Sequence, residues 1–175
     1  MATIQRHPLK AAAKVAEMIT DHIIGGGHTA AVAGSIRRHA KTVGDIDIIT
    51  ITKNLAALEL PSWMRIVRGG GQYRRYAVSL ENGTEIGVDI WACPSEKQWG
   101  GYLLFATGTA DYNIFMRREA RKYGYLLNQA GLWKNGKHLA LTEHEISRAL
   151  GLPHLTADER NRWERHINTT KKGRK

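Results

Sequence analysis

Gly34-Ser35-Ile36-Arg37-Arg38 and, a few residues later, Gly44-Asp45-Ile46-Asp47 have the residue types and spacing to do chemistry on a phosphate. The apolar run at 30–33 ends in Gly34-Ser35, as a buried strand ends in a tight turn. A short helix starting at Ser35 presents unpaired, partly positive amides that suit a phosphate. Gly34 lets the backbone approach that phosphate closely, and Arg38 adds a bidentate charged clamp. Residues 45–52 are rich in β-branched side chains and alternate at their start, which predicts a strand. Residues two apart on a strand face the same side. Asp45 and Asp47 therefore point together, and Ile46 and Ile48 point into the core. Two adjacent carboxylates repel unless a cation lies between them. Mg²⁺ or Mn²⁺, bound by oxygen ligands and by substrate phosphates, meets that need. A bare Asp-x-Asp fits solvated aspartates on an edge strand better than a metal site; the ordered set of strand, Gly-Ser, Arg and Gly-Asp-x-Asp is far more specific.

A third carboxylate stands in a second alternating run, Glu85-Ile86-Gly87-Val88-Asp89-Ile90-Trp91. Ile86, Val88 and Ile90 face the core, so Asp89 projects the opposite way from mid-strand, where aspartate is disfavoured. Exposure on the open face of an antiparallel sheet is one reason for it. The other is that this face also carries Asp45 and Asp47, so that Asp89 completes a two-metal site.

The elements that must position these groups follow in order. Leu9, Ala13, Val15, Ala16, Ile19, Ile23 and Ile24 recur at near-helical spacing, predicting a helix over 8–24 that Gly25-Gly26-Gly27 ends. A short helix is expected over 54–60, with strands over 63–68 and 72–80. Asn82-Gly83 signals a type I′ hairpin turn into 85–91. A helix starting at Ser95 covers 95–106, and Asn135-Gly136 marks another hairpin turn. Thr142 with Glu145 three residues later forms a capping box.

The chain has 175 residues and a net charge of +10, from 26 Lys and Arg against 16 Asp and Glu. Such an excess favours a polyanionic partner, nucleic acid first. An acidic membrane is the weaker alternative, since no basic amphipathic helix stands out. There is no apolar run of membrane-spanning length and no secretory signal. Cys93 is the only cysteine, which excludes an internal disulfide and fits a reducing, intracellular setting.

The stretch from Gly34 to Asp47 resembles the Gly-Ser-x-x-Arg and Gly-Asp-x-Asp signature of the nucleotidyltransferase superfamily, and most closely that of the DNA polymerase X family. Two further blocks carry the same resemblance, which runs from about Ala30 to Trp163. Phe105-Ala106-Thr107-Gly108-Thr109, with Asn113 and Met116-Arg117 behind it, is similar to the family's Tyr-Phe-Thr-Gly-Ser segment and its following helix. Residues 121–133 match the family's basic helix end and its Leu-Asn-x-x-Gly-Leu run. The resemblance implies that Asp45, Asp47 and Asp89 are catalytic and bind two Mg²⁺ (or Mn²⁺) ions. It implies nucleotide contacts from Gly34, Ser35, Arg38, Gly44, Phe105, Ala106, Gly108 and Asn113. Thr107-Gly108-Thr109 would form a sharp turn beside the sugar. Asn113 and Arg117 share a helix face and would lie along the minor-groove side of the nascent base pair, with Arg117 touching DNA.

The sequence departs from the family at several places, among them Ala110, where some members have an acidic residue and others a small one. Phe105 replaces a usual Tyr and Ala106 a usual aromatic, which bears on sugar discrimination. Gly87 stands where the family often has a basic residue, which puts a primer-backbone contact there in question.

The resemblance implies an α+β fold. A nucleotidyltransferase palm, a mixed or antiparallel sheet with flanking helices, occupies 1–104. A small nucleotide-selecting α/β subdomain occupies 105–168, and 169–175 is a basic tail expected to be disordered. A minimal member is expected, without the lyase and helix-hairpin-helix domains that larger members carry before this stretch. The implied activity is templated extension of a primer on gapped or primer-template DNA with dNTPs, by an intracellular monomer with no membrane contact. Template-independent addition, or transfer to tRNA, a small molecule or a protein, is the alternative, for which Ala106 leaves room. An inert nucleic-acid-binding module is a third reading, against which the three carboxylates argue.

Overall fold

A computed structural model describes residues 5–139 and 142–172, of which the side chains of 168–172 are not described. Two compact units divide between Glu96 and Lys97. In the first, the two-residue strand β1 (His7–Pro8) leads into helix α1 (Leu9–Gly25), which Gly26 closes. β2 (Ala30–Val32), the single turn α2 (Gly34–Arg37), β3 (Thr42–Val43) and β4 (Asp45–Ile51) follow. β5 (Arg65–Gly69), β6 (Tyr73–Ser79) and β7 (Glu85–Cys93) complete the unit.

The main sheet has the order β2-β4-β7-β6-β5 and is mixed: β4 and β7 run parallel, and every other neighbour is antiparallel. β1 and β3 form a separate antiparallel pair. Ala12, Ala16, Ile19 and Ile23 of α1, at spacings of three and four, are at most 2% exposed. They share one core with Ile46 and Ile48 of β4 and Val88 and Ile90 of β7. Each large aliphatic side chain buried there contributes about 1.5–3 kcal/mol. That burial fixes the sheet face on which Ile46 and Val88 lie, and so leaves Asp45, Asp47 and Asp89 on the other. Ile24 does not join the helical stripe and is half exposed.

Two local expectations are corrected. The helix expected over 54–60 is one 3₁₀ turn, Leu55–Ala57, capped by the Asn54 side chain. Leu58 is already extended, and Pro61 follows too soon for a further turn. The Asn82-Gly83 turn is not type I′, which needs positive φ at both central residues. Only Gly83 has it (φ +78°). The Gly83 amide donates to Leu80 O at 2.9 Å and the Leu80 amide to Thr84 O at 2.7 Å, so the loop has three residues, 81–83. Asn135 and Gly136, both at positive φ, do make the primed turn.

In the second unit a 3₁₀ turn (Glu96–Gln98) precedes α3 (Trp99–Thr107), so the helix expected from Ser95 starts at Trp99. α4 (Ala110–Lys122), capped by Thr109, leads to the antiparallel strands β8 (Leu126–Asn128), β9 (Gly131–Lys134) and β10 (Lys137–His138). α5 (Glu143–Ala149) carries the expected Thr142/Glu145 capping box. A 3₁₀ turn at Glu159–Arg162 runs into α6 (Trp163–Lys172), which enters the stretch expected as a basic tail; 173–175 lie outside the described residues. Leu104, Phe115, Met116, Leu132, Ile146 and Leu150 centre a second core, and Phe115 stacks on Trp163 at 4.5 Å between ring centres. Among the described residues no helix is long and apolar enough to cross a membrane.

Candidate active site

Parallel pairing of β4 with β7 lays their N-terminal ends side by side, with Asp47 opposite Asp89 and Asp45 opposite Gly87. Paired residues point to the same face of a sheet, so the three carboxylates gather on the side away from α1. The Ala33 amide donates to Asp47 O at 2.8 Å, extending the β2–β4 ladder to the mouth of α2. There Gly34 takes φ +58°, and a Cβ on it would collide with Oδ2 of Asp47. Only glycine fits that place. The Ser35 hydroxyl is buried with no hydrogen-bond partner among the described residues. Arg38 closes the turn through its amide to Gly34 O at 3.2 Å, and its charge acts on Asp47.

Asp89 is 8% exposed, and both of its oxygens are engaged. The Tyr73 hydroxyl donates to Oδ1 at 2.8 Å and Arg75 Nη1 to Oδ2 at 2.9 Å. The same Nη1 lies 3.6 Å from Oδ2 of Asp45. Trp91 stands on the same face, its ring centre 4.5 Å from that of Tyr73. Sequence reasoning set Trp91 on the face of Asp89 but missed Tyr73 and Arg75. The only signal for them was the alternation of Tyr73 and Arg75 in a strand joined to β7 by a tight hairpin.

The electrostatics are those of a site short of positive charge. Burial first, then the Asp45 and Asp89 carboxylates, push Asp47 up to about 8, against the opposing pull of Arg38 and Arg75. Burial also raises Asp89, which Tyr73 and Arg75 partly offset. Among the described residues no group of three or more Asp, Glu, His or Cys side chains stands placed to hold a metal ion. Arg75 lies between two of the carboxylates. Asp45, Asp47 and Asp89 on one sheet face offer carboxylate oxygens, the donor type that Mg²⁺ or Mn²⁺ prefers.

The other sequence-predicted residues belong to the second unit, except Gly44, which directly precedes β4. Phe105 and Ala106 lie in the last turn of α3, and Gly108 caps it at φ +67° before a cis peptide to Thr109. Asn113 Nδ2 donates to Phe105 O at 2.7 Å, and the Arg117 guanidinium lies 5.9 Å from the Phe105 ring centre. Phe105, Asn113 and Arg117 thus form one local cluster.

Residues 102–161 match the family model described as DNA polymerase beta thumb. The chain is 30% identical over 135 residues to the DNA polymerase/3′-5′ exonuclease PolX of Bacillus subtilis (strain 168). That match takes in 73% of this chain but only 23% of the bacterial protein. It is 31% identical over 140 residues to the repair DNA polymerase X of African swine fever virus (isolate Pig/Kenya/KEN-50/1950), covering 73% of this chain and 78% of the viral one. The fold is similar to that of Leishmania infantum polymerase beta in a ternary P/T complex. The TM-score is 0.73 at 19% identity, over 89% of this chain and 77% of that one.

Proposed function

The chain belongs to the X family of DNA polymerases, and from that premise we propose that it extends a primer on gapped or primer-template DNA from dNTPs, as an intracellular repair enzyme. The observation that carries this reading is the gathering of Asp45, Asp47 and Asp89 on one sheet face against the Cβ-free turn at Gly34. Asp45, Asp47 and Asp89 would hold two Mg²⁺ or Mn²⁺ ions, which supply activation of the 3′-hydroxyl and neutralise the triphosphate and leaving pyrophosphate.

The chain's own groups do the rest. Asp89 takes the 3′-hydroxyl proton as that oxygen bonds to the α-phosphorus and the bond from the α-phosphorus to its bridging oxygen breaks, releasing pyrophosphate. Burial raises the basicity of Asp89 for that task. Gly34, Ser35 and Arg38 hold the β- and γ-phosphates. The buried, unpartnered Ser35 hydroxyl is a donor ready for one of them. Gly44, directly before Asp45, contacts the nucleotide. Phe105, Ala106 and Gly108 border the sugar, Asn113 the incoming base, and Arg117 the DNA minor groove. The net charge of +10 favours the DNA backbone.

The test is extension of a labelled primer on a one-nucleotide gap, on an open template and as a free single strand. Each dNTP is supplied singly with Mg²⁺ or Mn²⁺. Insertion of the complementary nucleotide alone, best on the gap, is expected. Untemplated addition would replace this reading with terminal transfer. No incorporation would move the acceptor to tRNA, a small molecule or a protein.

A further inference from the structure

Gly87 sits in the middle of the central strand β7, where a glycine weakens the strand and leaves nothing to pack. Its backbone conformation does not demand glycine, since its φ is not positive. The reason lies on the neighbouring strand. Arg75 is opposite Asp89 in the β6–β7 pairing, and its guanidinium folds back across Gly87. A Cβ at 87 would come to 2.9 Å from Arg75 Cζ and 3.1 Å from Nε, and closer still to Nη2. From that notch Nη1 reaches Oδ2 of Asp89 at 2.9 Å and stands 3.6 Å from Oδ2 of Asp45. Tyr73, also from β6, fixes the remaining oxygen of Asp89.

We propose that Arg75 is the positioning residue of the carboxylate site, an internal counter-cation that aligns Asp89 and Asp45 before any metal binds, and that Gly87 is the notch that admits it. A guanidinium and a divalent ion draw on the same carboxylate oxygens. Arg75 therefore competes with the first ion while holding Asp89 in direction. It lowers metal affinity and raises turnover, a pair of effects of opposite sign that a merely structural arginine would not produce. The turnover half rests on the polymerase reading; the metal half does not.

The experiment measures Mn²⁺ binding by calorimetry, without DNA or nucleotide, and kcat and dNTP KM by primer extension. It compares the parent chain with Arg75→Ala, Gly87→Ala and the double variant Arg75→Ala/Gly87→Arg. Arg75→Ala should bind Mn²⁺ at least about threefold more tightly, since one positive charge leaves the site, while kcat falls and KM stays nearly constant. Gly87→Ala, whose Cβ displaces only the flexible end of Arg75, should shift both quantities the same way by less. The double variant should return both toward the parent values, because residues 87 and 89 share a strand face. Unchanged or weaker Mn²⁺ binding by a folded Arg75→Ala chain overturns the proposal, as does a folded double variant with no recovery. If Mn²⁺ binding tightens as expected but no chain incorporates nucleotide, the polymerase reading fails and the counter-cation stands.

Discussion

Gly34 and Asp47 are packed so closely that a Cβ on the glycine would collide with Oδ2 of the aspartate. The contact joins the two halves of the sequence motif, the turn after β2 and the start of β4, into one surface. Replacing Gly34 by Ala should push Asp47 aside and strain a backbone held at φ +58°, at about 1–2 kcal/mol. Nucleotide incorporation should fall about 100-fold while the far-UV circular dichroism spectrum is preserved. Near-parent incorporation by Gly34→Ala would remove the turn from the site.

Asp89 is the second test. Asp89→Asn keeps the shape and one acceptor oxygen for Arg75 or Tyr73, but it loses the negative charge and the proton acceptor. Primer extension should drop by about 100-fold or more while the far-UV circular dichroism spectrum is preserved. Near-normal extension by a folded Asp89→Asn chain would sink the three-carboxylate assignment.

Asp47 gives a pH signature. Its acid form is favoured in the folded chain, where burial and two carboxylates raise it from 3.8 to about 8. Between those values the folded chain holds a proton that the unfolded chain has released, so stability falls as pH rises and levels off above about 8. Melting in EDTA from pH 5 to 9 should show that decline, and Asp47→Asn should flatten it. Mg²⁺ should raise the melting temperature most at the alkaline end and release protons on binding below pH 8. An identical pH slope in Asp47→Asn would mean the decline originates elsewhere.

In the second unit Arg160 is 1% exposed. Its Nη1 meets Glu143 as an ion pair at 2.9 Å, though without hydrogen-bond alignment. Nε and Nη2 donate to Leu155 O at 3.3 Å, and the guanidinium lies 5.4 Å from the Tyr112 ring centre. Arg160→Ala removes this buried ion pair, at a cost of about 3–5 kcal/mol in urea unfolding. Arg160→Met combined with Glu143→Leu, which removes both charges, should recover most of that loss. Equal stability of the single and double variants would show that the ion pair is not what Arg160 supplies.

Alternation and spacing alone determined that Asp45, Asp47 and Asp89 leave their strands on the side opposite Ile46, Ile48, Val88 and Ile90. A period of two combined with burial leaves no other choice. The helical stripe of α1, the capping box at Thr142 and the primed turn at Asn135-Gly136 were legible for the same reason: each rests on residues within a few positions of one another. Which strands are neighbours was not legible, because Asp47 stands opposite Asp89 only through a parallel pairing across 42 residues of chain. Arg75 was lost to a single turn. A two-residue loop at Asn82-Gly83 would set Glu81 opposite Thr84 and turn Arg75 to the core face. The three-residue loop sets Leu80 opposite Thr84 and brings Arg75 across from Asp89. A shift of one residue in register moves every side chain to the other face. The counter-charge of the site was therefore decided by the packed sheet, where Tyr76 and Val78 take the buried positions and leave Tyr73 and Arg75 to the carboxylates.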